Sequence, residues 1–107
     1  MRVLLVEDNR SLSKWIAKAL RHTGMVVDCM HDGVQADHVL LTQTYDVVLL
    51  DLSLPRMDGI MVLRNLRARD SRMPVLVLTV RSSIEERVIG LDAGADDSIV
   101  AFFSVLL

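Results

Sequence analysis

Tyr45 to Gly59 reads YDVVLLDLSLPRMDG, in which Val47, Val48, Leu49 and Leu50 run unbroken into Asp51 and then into a loop holding Pro55, Asp58 and Gly59. A continuous apolar run has no polar face to offer water, so it suits a strand covered on both sides, the habit of parallel sheets. The loop after such a strand is where open α/β sheets place their ligands. Asp51 is therefore expected at the carboxyl end of a central strand. On this stretch alone, a strand-terminating residue or the cap of a local turn is an equally good reading.

The same device recurs along the chain. Val3 to Val6 form a short apolar strand that leads into Glu7, Asp8 and Asn9, and Asn9 or Ser11 is placed to cap a following helix. That helix carries Leu12, Trp15, Ile16, Ala19 and Leu20 at the spacing of one buried stripe, with Trp15 read as core. Gly24 stops it, and Met25 to Cys29 reads as a peripheral strand. Asp32 and Gly33 mark a turn before a weaker helix over 34–41, with Val34, His38 and Leu41 on one side and Asp37 on another. After Gly59, Ile60, Leu63 and Leu66 share a helical face while Arg64, Arg67 and Arg69 point to solvent. Val75 to Leu78 form a fourth strand ending in Thr79, Ile84, Val88 and Leu91 mark a fourth helix, and a fifth strand covers 98–103. Alternation of this kind predicts a doubly wound five-stranded parallel α/β sheet between helices. Ser104 to Leu107 supply about one turn, so the final covering helix is expected to be missing or truncated.

Composition narrows the function. The 107 residues, 51% of them hydrophobic, suffice for one core and one domain. A net charge of -2 offers no basic surface for nucleic acid, and no segment is long and apolar enough to span a bilayer. The lone Cys29 makes no internal disulfide and reads as a small core residue. With no leader pattern after Met1, a cytoplasmic location is expected. His22, His31 and His38 are scattered without metal spacing and read as surface residues, and Glu85, Glu86 and Arg87 as a solvated helix face.

In a parallel sheet the ends bearing Glu7, Asp8, Asp51 and Thr79 meet on one edge. With strand order 2-1-3-4-5 the first and third strands are neighbours whose helices leave on opposite faces, opening a crevice between Asp8 and Asp51. The segments VLLVEDN, VVLLDLSLPRMDG, PVLVLT and GLDAGADD, in this order and spacing, resemble the receiver domain of two-component response regulators, and GLDAGADD resembles the OmpR/PhoB subfamily of transcriptional regulators.

The resemblance implies a flavodoxin-like fold, with residues 1–107 as a single, C-terminally truncated receiver. Asp51 would accept a phosphoryl group from a histidine kinase and the change in shape would be the signal. Mg2+ would be held by Glu7, Asp8, Asp51 and the backbone carbonyl of Ser53, and Thr79 would contact the phosphoryl group. The subfamily's DNA-binding winged helix is not in this sequence, so no direct nucleic-acid binding is expected.

The chain departs from the family near its end. The family lysine is Ala101, the following proline is Phe102, and the aromatic switch residue is Ser98. Loss of the ammonium removes a counter-charge, so at least one of the acids is expected to have its pKa raised by like-charge repulsion when no metal is bound. The peptide before Phe102 is expected to be trans. An uncovered sheet face next to Leu12, Ile16 and Leu20 suggests a homodimer, through apolar residues 99–107 or the fourth helix face. Alternatives are a receiver fold that serves only as an interaction module, an aspartate-nucleophile phosphatase, for which Ser53 stands where a second acid is needed, and a flavin-binding relative, whose phosphate loop Glu7, Asp8 and Asn9 do not supply.

Overall fold

The computed structural model describes residues 1–69, 71–78 and 94, together with the backbone of 97–98. In chain order the elements are β1 (Arg2–Val6), α1 (Arg10–His22), β2 (Val26–Met30), α2 (Gly33–Thr42), β3 (Val47–Asp51), α3 (Gly59–Ala68), β4 (Val75–Leu78) and β5 (Asp97–Ser98). All pairings are parallel and the order is β2-β1-β3-β4-β5, as the alternation predicts. Thr79, the fourth helix, Ala101, Phe102 and the tail after Ser98 lie outside the described residues.

β1 and β3 occupy the middle of the sheet, which is why their residues are apolar on both faces. Leu4, Val6, Val48 and Leu50 meet α2 and α3 on one side, while Val3, Leu5 and Leu49 meet α1 on the other. Each helix starts on a side-chain cap: Asn9 Oδ1 accepts from Leu12 N at 3.0 Å, Asp32 Oδ1 from Gln35 N at 2.8 Å, and Asp58 Oδ1 from Met61 N at 2.9 Å. Caps of this kind supply one of the partners that the first turn of a helix lacks. Gly24, at φ 91, takes the left-handed turn that ends α1.

Several side chains differ from the sequence expectation. Trp15 is 64% exposed rather than core. The buried stripe of α1 is Leu12, Ser13, Ile16 and Ala17, because small Ser13 and Ala17 let the helix lie close to the sheet and turn Trp15 outward. Leu12 and Ile16 of the expected stripe are buried, and α1 turns outward a groove lined by Trp15, Lys18, Ala19 and His22. In α2 the inner face is Gly33, Ala36 and Leu40, whereas Leu41 is exposed; His38 is exposed too, in keeping with its reading as a surface residue. Arg67 is not a solvent arginine. Its guanidinium donates to the carbonyls of Ser71, Met73 and Gly94 at 3.0, 2.7 and 2.9 Å, tying α3 to the two loops beside it. Arg69 is exposed, as is Arg64, and pairs with Asp37 of α2 at 3.3 Å.

Candidate acidic site at the sheet edge

Register alone brings the acids together. Val6 lies beside Leu50, so the residues that follow, Glu7 and Asp51, leave the two central strands side by side. α1, which follows β1, and α3, which follows β3, pack on opposite faces, and the carboxylates of Glu7, Asp8 and Asp51 share the gap, each contributing an oxygen within 4.8 Å of the others. Asp51 is 7% exposed and Glu7 3%, while Asp8 is open to solvent. Ser53 N donates to Asp51 Oδ1 at 3.0 Å and so orients that carboxyl.

Glu7 carries the electrostatic tension of the cluster. Its pKa is pushed up to about 8, first by burial and next by the Asp51 carboxyl, through a side-chain hydrogen bond and through its charge. Asp8 adds a smaller push, whereas the Asn9 amide, 3.3 Å from Oε1, favours the charged form. The expected rise in an acid pKa is therefore present, but burial is its first cause and like charge comes after it. Glu7 Oε2 is buried without a hydrogen-bond partner. An orphaned carboxylate oxygen beside two more carboxylates is a donor set that fits a hard divalent cation, which takes oxygen ligands and neutralises their repulsion.

Of the expected site residues, Glu7, Asp8 and Asp51 converge and Ser53 stands against Asp51. Leu78, the residue before Thr79, is the register partner of Asp51, while Thr79 and Ala101 fall outside the described residues. Ser98 is placed by its backbone in β5 beside Val77. Two features escape a reading of the sequence. His31 is not an unattached surface residue: its Nδ1 lies 3.0 Å from the Glu7 carbonyl oxygen, binding the end of β2 to the acidic loop. Arg56 stands at φ 70 and pairs with Asp32 Oδ2 at 3.3 Å. The adjacency of β1 and β2 could have suggested the first, since His31 directly follows β2. Nothing local in the sequence signals the second.

Residues 3–104 match the response regulator receiver domain family. The chain belongs to that family. This receiver is 50% identical over 97 residues to the transcriptional regulatory protein TctD of Salmonella typhimurium, covering 91% of the chain and 43% of TctD. It is 42% identical over 105 residues to the response regulator MprA of Mycobacterium avium, covering 98% of the chain and 46% of MprA. The receiver thus spans less than half the length of these curated relatives. Among solved structures, the receiver domain of the sensor histidine kinase PA1611 from Pseudomonas aeruginosa superimposes with a TM-score of 0.85 at 33% identity, covering 98% of this chain and 92% of that one. That protein carries a magnesium ion in its active-site cleft. No helix among the described residues is long and apolar enough to cross a membrane.

Proposed function

We propose that this receiver takes a phosphoryl group from a phosphohistidine of a sensor kinase onto Asp51. The observation that carries the reading is the meeting of Glu7, Asp8 and Asp51 in the crevice between two central strands. Asp51 is the nucleophile: one oxygen of its ionised carboxyl forms the new O–P bond as the N–P bond of the donor breaks, the electron pair staying on the ring nitrogen and a proton from solvent letting the imidazole depart neutral. The Ser53 amide fixes the carboxyl plane so that attack needs little reorganisation. Glu7, Asp8, Asp51 and the Ser53 carbonyl would hold Mg2+, which when bound supplies charge to offset the incoming phosphoryl oxygens. Thr79 would donate its hydroxyl to one of those oxygens. With Ala101 in place of the family lysine, the reaction has one cation fewer to lean on, and with Ser98 in place of the aromatic switch the surface change must be carried by other groups.

In this reading residues 1–107 form one receiver unit in the cytoplasm, a phosphoacceptor and not a turnover enzyme, serving transcriptional regulation without touching nucleic acid itself. It pairs with a second copy through its C-terminal strand or fourth helix face, which light scattering against concentration checks. Intact mass after treatment with acetyl phosphate tests the central claim. The wild type should gain one phosphoryl group with Mg2+ and far less without it, and Asp51→Asn should gain none. An unmodified wild type would overturn the reading in favour of an interaction module that keeps the fold without the chemistry.

A further inference from the structure

The loop leading out of Asp51 is held on the N-terminus of α2 at consecutive residues. Pro55 O accepts from Gly33 N at 3.2 Å, and Gly33 lies so close under Met57 that a Cβ there would stand 1.6 Å from the Met57 carbonyl oxygen. Between them, Arg56 adopts φ 70, a left-handed backbone that long side chains seldom take up. Its guanidinium reaches Oδ2 of Asp32, whose Oδ1 caps α2. The Asp32 side chain is 12% exposed and that of Arg56 60%. An unfavourable backbone state persists only where its surroundings over-determine it, and such states gather at functional loops.

The geometry points to Arg56 as a positioning residue for Asp51, acting through Asp32. This rests on the phosphoacceptor reading above. The ion pair and the two flanking contacts set the path of residues 52–58, which is closed at its far end by Gly59 N donating to Leu52 O at 2.9 Å. At its near end the same loop supplies the Ser53 amide that orients the Asp51 carboxyl. Because one partner of the pair is exposed, the pair adds little to global stability. Its effect belongs to the placement of the loop, and hence to the rate at which Asp51 is modified.

The test uses Arg56→Gly, which accepts the left-handed backbone, Arg56→Lys, which keeps the charge, and Asp32→Asn, which keeps a capping oxygen but drops the charge. Phosphorylation by acetyl phosphate at saturating Mg2+ is followed by intact mass, alongside thermal melting. Arg56→Gly and Asp32→Asn should each slow modification by about tenfold with melting unchanged. Arg56→Lys should recover most of the rate, and the double variant Arg56→Gly, Asp32→Asn should be no slower than either single one, as expected of residues acting as a unit. Wild-type rates in both single variants, multiplied defects in the double, or slowing that merely tracks a lowered melting temperature would overturn the inference while the phosphoacceptor reading stands. A wild type that takes no phosphoryl group would overturn both.

Discussion

Glu7 is a carboxyl whose folded surroundings favour a proton, and that makes stability depend on pH in an unusual direction. Its value is raised from 4.5 to about 8, burial first and Asp51 next, so the folded state holds more protons than the unfolded state between those limits. Stability of the metal-free protein should therefore fall as pH rises through this window, the reverse of a salt-bridged carboxylate. Urea midpoints measured in chelator at pH 5.5 and 8 should show the drop, and Glu7→Gln should flatten it. Equal wild-type midpoints would remove the claim. Gly33 allows a second prediction at this scale. With a Cβ at 1.6 Å from a backbone oxygen there is no flexible neighbour to give way, so Gly33→Ala should cost at least about 3 kcal/mol in denaturant unfolding. The acids of the site were legible because each directly follows an apolar run and strand order does the rest. A raised acid could be expected from like charge, but neither its being Glu7 with burial as the first cause nor the Arg56–Asp32 pair could be read that way, since both depend on how separate loops meet and on burial.

At the scale of elements, the pattern of apolar runs and helical stripes gave strand positions, topology and the inner face of α3, while the rotation of α1 and α2 about their axes escaped it. In α1, positions 12, 15, 16 and 19 and positions 12, 13, 16 and 17 both make stripes at helical spacing, and hydrophobicity favours the first. Packing chose the second, burying Ser13 because a small side chain brings helix and sheet close. Ser13 Oγ is left buried without a partner. Ser13→Ala should thus stabilise the fold by about 1 kcal/mol, combining removal of an unsatisfied hydroxyl with better helix propensity. A thermal melt checks it, with an unchanged or lowered midpoint counting against the assignment. Charge misled the reading of α3 in a similar way. Arg67 looks like a solvent residue by composition, yet its planar fork satisfies three loop carbonyls at once, a task for which an arginine is suited and a lysine is not. Arg67→Ala should cost about 2 kcal/mol, and Arg67→Lys should recover little of it.

For the whole molecule, the consequence of gathering acids at one sheet edge is that only the native state brings together the three carboxylates of the proposed cation site. In the unfolded chain Asp51 is separated from Glu7 and Asp8 by most of two βα units, so an ion held by all three, as proposed, would bind the folded state alone and stabilise it by mass action. At ten times the dissociation constant the gain is about 1.4 kcal/mol, which for a domain of this size raises the melting temperature by roughly 5–10 °C. The effect should grow with the logarithm of Mg2+ concentration and be larger at pH 8 than at pH 6, because below about 8 the cation must displace the proton held by Glu7. Glu7→Gln and Asp51→Asn should each blunt the rise, and Asp8→Asn should do so with little change in the metal-free melt, since Asp8 is exposed. A rise of the same size in all of these variants would place the ion elsewhere on the acidic surface. Differential scanning calorimetry across the Mg2+ series, at both pH values, separates the two outcomes: only a site built from Glu7, Asp8 and Asp51 ties the metal dependence and the pH dependence to the same side chains.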